Sequence, residues 1–208
     1  MRVFGLEVGP LRENTYLVEG PEGAVLIDPG DEPGRILALL EATGLAPRAI
    51  LLTHAHFDHV GAVAPLVAAL ALPVFLHPMD FTLYRHAAEA ARMWGFSIPK
   101  PPLPVEPLEE GMRLFGFQVF HLPGHSPGHV AFFYPGEAPQ VFSGDLLFRG
   151  SIGRFDLPGA SQEALFHSLK RLLSLPAPTE VHPGHGPATT LGLEAQTNPF
   201  LTGLEWET

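Results

Sequence analysis

Three histidines and an aspartate crowd into the stretch Thr53-His54-Ala55-His56-Phe57-Asp58-His59-Val60-Gly61, reading HxHxDH. Imidazole and carboxylate are ligands suited to zinc, iron or manganese, so this stretch reads as a metal site. Three further segments place ligand-type side chains after apolar runs or between turns. His121-Leu122-Pro123-Gly124-His125-Ser126-Pro127-Gly128-His129 sets His125 between two Pro/Gly turns. Val141-Phe142-Ser143-Gly144-Asp145 ends an apolar run on Asp145, and His182-Pro183-Gly184-His185-Gly186-Pro187 holds His185 in a tight turn. Glycine and proline fix such loops, and a ligand must sit on fixed backbone to aim its lone pair.

The remaining polar residues carry blander expectations. His77, His86 and His167 are expected at the surface or as caps. His182 is as readily a buried structural residue as a support for the site. Asp31 and Asp156 read as turn residues, and Glu106, Glu109 and Glu110 as a solvated turn. Phe81, Tyr84, Met93 and Trp94 read as core or pocket wall. The chain has no cysteine, which excludes disulfides, thiolate-ligated zinc and a cysteine nucleophile. A net charge of −10 argues against a binder of nucleic acid. The start lacks a basic-then-apolar signal pattern, so a cytoplasmic location is expected. The longest uncharged run, Val60 to Leu76, is interrupted by Pro65 and Pro73, and no membrane span is expected.

Elements to position these residues can be read from periodicity. Short strands are expected at 3–8, 14–19, 24–28, 48–53 and 74–76, with helices at 33–43, 59–71 and 79–94. Pro33 and Gly44 bracket the first helix. Five prolines between Pro99 and Pro107 predict an exposed connector without regular structure. Beyond it the pattern restarts, with strands at 112–115, 117–122, 129–134, 140–144 and 179–182 and helices at 161–173 and 190–197. The expectation is one domain over 1–208, built of two strand-then-helix halves hinged near 99–107, with two sheets packed together and helices outside. Each half carries an apolar strand that ends in an aspartate, Asp28 and Asp145.

HAHFDH, PGHSPGH, SGD and PGHGP, in this order, resemble the metallo-β-lactamase-fold superfamily over most of the chain, from Asn14 to Pro187. THAHFDHVG and GHSPGH look most like its glyoxalase II (hydroxyacylglutathione hydrolase) branch. The tail, Gly184 to Thr190 with Thr197 to Leu201, is similar to the short single-domain bacterial members. The resemblance implies an α/β (αββα) four-layer sandwich of two mixed β-sheets packed face to face. It assigns His54, His56 and His125 to one metal and Asp58, His59 and His185 to a second, with Asp145 bridging. Seven ligands exceed what one tetrahedral ion needs, and a shared carboxylate holds two ions about 3.5–4 Å apart. The implied cofactors are two divalent metal ions, zinc first, with iron or manganese as alternatives. Asp28 is placed behind the ligands, accepting an imidazole N–H so that the ring's other nitrogen faces the metal.

The implied chemistry is cleavage of a thioester by a metal-bridging hydroxide that Asp58 orients, on a small-molecule substrate such as a glutathione thioester. Full-length glyoxalase II enzymes carry a C-terminal helical region with basic residues for the glutathione carboxylates. Here no Lys or Arg follows Arg171; the resemblance retains Arg154, in Gly153-Arg154-Phe155-Asp156, as the one basic candidate, aligned with a segment where the family has a substrate-contacting Lys. Persulfide dioxygenases share the fold, and one iron held by His54 or His56, His125 and Asp145 is the alternative. Lactonase and β-lactamase-like readings rank below both.

Overall fold

The computed structural model describes residues 1–202. In the first half, β1 (Arg2–Val8), β2 (Glu13–Gly20) and β3 (Gly23–Ile27) are followed by α1 (Pro33–Thr43), β4 (Pro47–Leu51), α2 (Phe57–Val60), α3 (Val63–Leu70) and β5 (Val74–Leu76). A one-turn 3-10 helix (Pro78–Asp80), α4 (Phe81–Arg85), α5 (Ala87–Met93) and β6 (Glu106–Pro107) come next. The second half runs β7 (Arg113–Leu114), β8 (Phe117–His121), β9 (Val130–Tyr134), β10 (Gln140–Gly144), β11 (Leu147–Phe148), β12 (Ser151–Ile152), α6 (Gln162–Leu173), β13 (Glu180–Pro183), β14 (Thr189–Thr190) and α7 (Leu191–Thr197). One six-stranded sheet has the order β1-β2-β3-β4-β5-β6, the other β14-β13-β10-β9-β8-β7, and β11-β12 form a small ribbon.

Strand alternation sorts the apolar residues into three layers. Val25 and Ile27 of β3, Ala49 and Leu51 of β4, and Val130 and Phe132 of β9 meet between the sheets. Their neighbours Leu26 and Ile50 turn outward onto Ile36, Leu40, Val63 and Leu66 of α1 and α3. On the far side, Ala131 and Phe133 pack with Leu165, Leu169 and Leu172 of α6. Each fully buried large side chain contributes about 1.5–3 kcal/mol. The result is the αββα sandwich expected from the sequence, two mixed sheets with helices on both outer faces. The two halves repeat one pairing scheme: β1, β2 and β3 are antiparallel with β4 parallel to β3, and β8, β9 and β10 are antiparallel with β13 parallel to β10. Asp28 and Asp145 therefore follow corresponding strands.

Several local expectations change. The helix expected over 59–71 is two helices, because the Ala62 N–H bonds the Pro29 carbonyl at 3.0 Å and so leaves the helical ladder. The helix expected over 79–94 becomes a 3-10 turn and two short helices that meet at His86. Tyr84 is buried, but Met93 is 88% exposed and Trp94 58% exposed, so those two are not core. The proline-rich connector is not wholly irregular or exposed: Pro101 is buried, and Glu106–Pro107 pairs in parallel with β5. Proline is tolerated there because β6 is an edge strand with no outer neighbour to bond among the described residues. Short pairings such as β6, β11-β12 and β14 are too brief for periodicity to reveal. Among the described residues no helix is long and apolar enough to cross a membrane.

Candidate metal centre

The strand ends and loops along one rim of the sandwich deliver the histidines and aspartates. β4 runs out into Leu52-Thr53, and the Val130 N–H bonds the Thr53 carbonyl at 2.7 Å, which ties the HxHxDH loop to the other sheet. His54 and His56 lie on this loop, and α2 presents Asp58 and His59 from its single turn. His125 lies in the turn between β8 and β9, Asp145 directly after β10, and His185 two residues beyond the end of β13. Gly184 must be glycine, because a Cβ there would lie 2.2 Å from Asp145 Oδ1 and 2.7 Å from His59 Cε1.

The seven side chains named from the sequence converge. His54, His56 and His125 bring one nitrogen each within 4.8 Å of one another, and Asp58, His59 and His185 do the same. A third such grouping joins Asp28, His54 and His59. Asp145 stands between the first two: its Oδ2 is 3.5 Å from His125 Nε2 and 3.6 Å from His185 Nε2, and its Oδ1 is 3.3 Å from His59 Nε2. Asp58 Oδ2 is 3.3 Å from His185 Nε2.

His54 Nε2, His59 Nε2 and Asp145 Oδ1 are buried without a hydrogen-bond partner among the described residues. Burying such atoms unpaired is costly, and cations bound among them would satisfy all three. The donor set, imidazoles and carboxylates without sulfur, fits two divalent ions.

The electrostatics match. Burial, then the neighbouring histidines, hold His54 well below its ordinary range, and burial with His125 lowers His56 to about 4. Both are therefore neutral imidazoles with a lone pair to offer. Burial alone would raise Asp145 and lower His59, yet their mutual attraction wins on both: Asp145 is held down and His59 is held up. His59 and His185 likewise hold Asp58 ionised against its burial. The surroundings of His59 favour positive charge.

The outer nitrogens of the rings are also held. His59 Nδ1 donates to Asp28 Oδ2 at 3.0 Å. Thr53 donates to the same carboxylate, from its amide at 2.7 Å and its hydroxyl at 2.5 Å, and that hydroxyl accepts from His54 Nδ1 at 3.0 Å. Asp28 thus orients one histidine directly and another through Thr53, from a left-handed backbone (φ 47°). His125 Nδ1 donates to the Arg154 carbonyl at 2.9 Å and His185 Nδ1 to the Leu11 carbonyl at 3.1 Å. The Arg154 guanidinium makes two bonds to Asp156, at 2.9 and 3.0 Å, and lies 6.0 Å from the Trp94 ring centre.

Four residues here were not singled out by sequence reasoning, or were set aside by it. Asp80 is fully buried and accepts from the Ala55 amide (3.1 Å), the Ser126 hydroxyl (2.7 Å) and the Gly128 amide (2.6 Å), so it clamps the two histidine loops together. His129 accepts from the Asp145 amide at 3.2 Å. Asn14 bonds the Pro183 and Gly186 carbonyls, at 3.0 and 2.7 Å, around His185. Glu13 is buried beside His59. An aspartate at a helix start or a polar residue opening a strand has many ordinary readings, so the only signal was burial of charge, which requires the fold.

Of the remaining histidines, His86 and His167 are exposed, and His77, His121 and His182 are structural. His77 stacks on His121 at 4.0 Å. His182 stacks on Phe142 and bonds Gln140 at 2.9 Å. Burial lowers the His182 pKa to about 4, against about 6.5 in an unfolded chain. Its contribution to stability is therefore intact above about pH 6.5 and is lost as pH falls toward 4. A His182→Phe variant, which cannot titrate, is expected to show a shallower fall of melting temperature than the parent over that interval. Parallel melting curves at each pH would refute this.

Comparison with known proteins agrees with the geometry. The pattern of the metallo-beta-lactamase superfamily matches residues 8–185. The chain belongs to that superfamily, and its broad class is metal-dependent hydrolase. It is 40% identical over 205 residues to a probable metallo-hydrolase, YqgX of Bacillus subtilis, covering 96% of this chain and 97% of the relative. It is 35% identical over 209 residues to the hydroxyacylglutathione hydrolase GloC of Haemophilus influenzae, covering 97% and 98% respectively. Among solved structures, TTHA1623 in a di-iron-bound form superposes with a TM-score of 0.94 at 76% identity, covering 96% of this chain and 100% of that one.

Proposed function

We propose that the protein is a two-metal thioester hydrolase, with hydroxyacylglutathione as the leading substrate. The observation that carries the reading is the position of Asp145, within 3.6 Å of His125 on one side and of His59 and His185 on the other. His54, His56 and His125 would hold one ion, Asp58, His59 and His185 the other, and Asp145 would be shared. Zinc suits this donor set, and the di-iron form of the 76%-identical relative supports iron beside it. When bound, such ions acidify a water and polarise a carbonyl.

The chain's own residues supply placement. Asp58, kept ionised by His59 and His185, offers a carboxylate oxygen at the edge of the cluster that would accept a hydrogen bond from a water and so orient it. A thiolate leaves readily, so no general acid is needed. Beside Asp58 lies a hollow walled by Leu11, Phe57, Phe96 and Ile98, with Phe57 and Phe96 stacked at 5.5 Å. An apolar wall of this kind suits an acyl or methylene chain. Arg154 would meet a substrate carboxylate. Its exposed pair with Asp156 is worth only about 0–1 kcal/mol and yields readily. Near full-length similarity to GloC supports the substrate class.

Metal analysis with two assays tests the reading. About two ions per chain and turnover of S-D-lactoylglutathione without oxygen uptake are expected. One iron per chain, with oxygen consumed in the presence of glutathione persulfide, would replace the hydrolase by a dioxygenase. Turnover of neither substrate would overturn the glutathione assignment.

A further inference from the structure

The histidines of the ligand cluster are not all backed alike. Behind His54, His125 and His185 stand neutral acceptors, the Thr53 hydroxyl at 3.0 Å, the Arg154 carbonyl at 2.9 Å and the Leu11 carbonyl at 3.1 Å. Behind His59 stand two carboxyl groups: Asp28 Oδ2 at 3.0 Å from Nδ1, and Glu13 Oε1 at 3.8 Å from the same nitrogen. Glu13 is 1% exposed, and its Oε1 has no hydrogen-bond partner among the described residues. Its Oε2 meets the Thr15 hydroxyl at 3.1 Å. A fully buried carboxyl with one oxygen unpaired is costly to keep and calls for an explanation.

Its other contacts supply one. The Glu13 backbone forms an antiparallel bridge with His185, and the adjoining Asn14 amide bonds the Gly184 carbonyl at 2.7 Å. Gly30 lies in the same packing: a Cβ there would come within 2.5 Å of Glu13 Oε2 and 1.9 Å of the Asp58 carbonyl oxygen. One residue therefore abuts His59 through its side chain, His185 through its backbone, and the Asp58 segment through Gly30. These are the three residues assigned to the second ion in the proposed function.

We infer that Glu13 is a positioning residue for the second metal position. Its carboxyl, beside that of Asp28, fixes the His59 ring with Nδ1 turned inward and Nε2 turned to the cluster, while its backbone holds the His185 turn. Groups that orient a ligand from behind typically change metal affinity 10–100-fold when removed. Because the contacts of Glu13 lie on the His59–His185 side, its loss weakens one position and spares the other.

The inference rests on the two-ion reading, and the experiment separates the two. The metal-depleted full chain is titrated with zinc against a chromophoric chelator, parent beside Glu13→Leu, Glu13→Gln and Glu13→Asp. The parent should take up two equivalents; a single equivalent would sink the two-ion reading itself. Glu13→Leu, which keeps volume but removes the polar end, should bind the first equivalent as the parent does and the second about 10–100-fold more weakly. Glu13→Gln, which keeps both, should recover most of the second. If the leucine variant does not fold, Glu13→Asp is read instead: it withdraws the carboxyl from His59 by one methylene and should show the same selective loss. A parent that binds two equivalents, beside a folded variant that binds both as tightly or loses both equally, would overturn the positioning role alone.

Discussion

Replacing Asp145 by alanine is expected to lower hydrolytic turnover by about a thousandfold or more, the equivalent of at least about 4 kcal/mol in the barrier. The reason is geometric. Among the described residues Asp145 is the one carboxylate within 3.6 Å of His59, His125 and His185 together, so its removal takes a ligand from both proposed ions and the charge that holds His59 in place. The amide of residue 145 still bonds His129, so the loop has reason to stay where it is. Far-ultraviolet circular dichroism should be unchanged while metal content and turnover both fall. Turnover within about tenfold of the parent would show that Asp145 does not bridge.

Asp80→Ala is expected to lower stability strongly although Asp80 lies outside the ligand set. The carboxylate satisfies three buried donors, the amides of Ala55 and Gly128 and the Ser126 hydroxyl. Each donor left unpaired costs about 1–3 kcal/mol, and with some rearrangement the total should be about 3–5 kcal/mol. For a chain of this length each kcal/mol moves the melting temperature by about 2–4 °C, so a fall of about 10 °C is expected. Asp156→Ala, which breaks only the exposed pair with Arg154, should move it by about 4 °C at most. Equal shifts in the two variants would refute the clamp. The same loss should loosen zinc at His54 and His125, since Ala55 and Ser126 are their immediate neighbours.

The ligand motifs were legible because metal chemistry is written locally. HxHxDH packs its donors into one loop and one helical turn, and the Pro/Gly context of His125 and His185 declares rigid turns. The sandwich was legible because alternation in segments such as Ala24–Ile27 and Ala49–Leu51 sorts residues to two faces whatever the partner. α1 was bounded correctly because Pro33 and Gly44 act through backbone rules that need no neighbours. The break after α2 was not, because it depends on a bond from Ala62 to Pro29 across the fold.

The supports were illegible for the same reason. Asp80 meets Ser126 across 46 positions of sequence, Asn14 meets Gly186 across 172, and Glu13 is remarkable only for being buried. A carboxylate that holds a loop and one that faces water look alike in a sequence; the difference is desolvation, which exists only once both sheets have closed on it. By itself the sequence determined which atoms could bind metal and in what kind of fold. The tertiary structure decided which groups hold those atoms in place, because orientation comes from partners that only folding brings within hydrogen-bond reach.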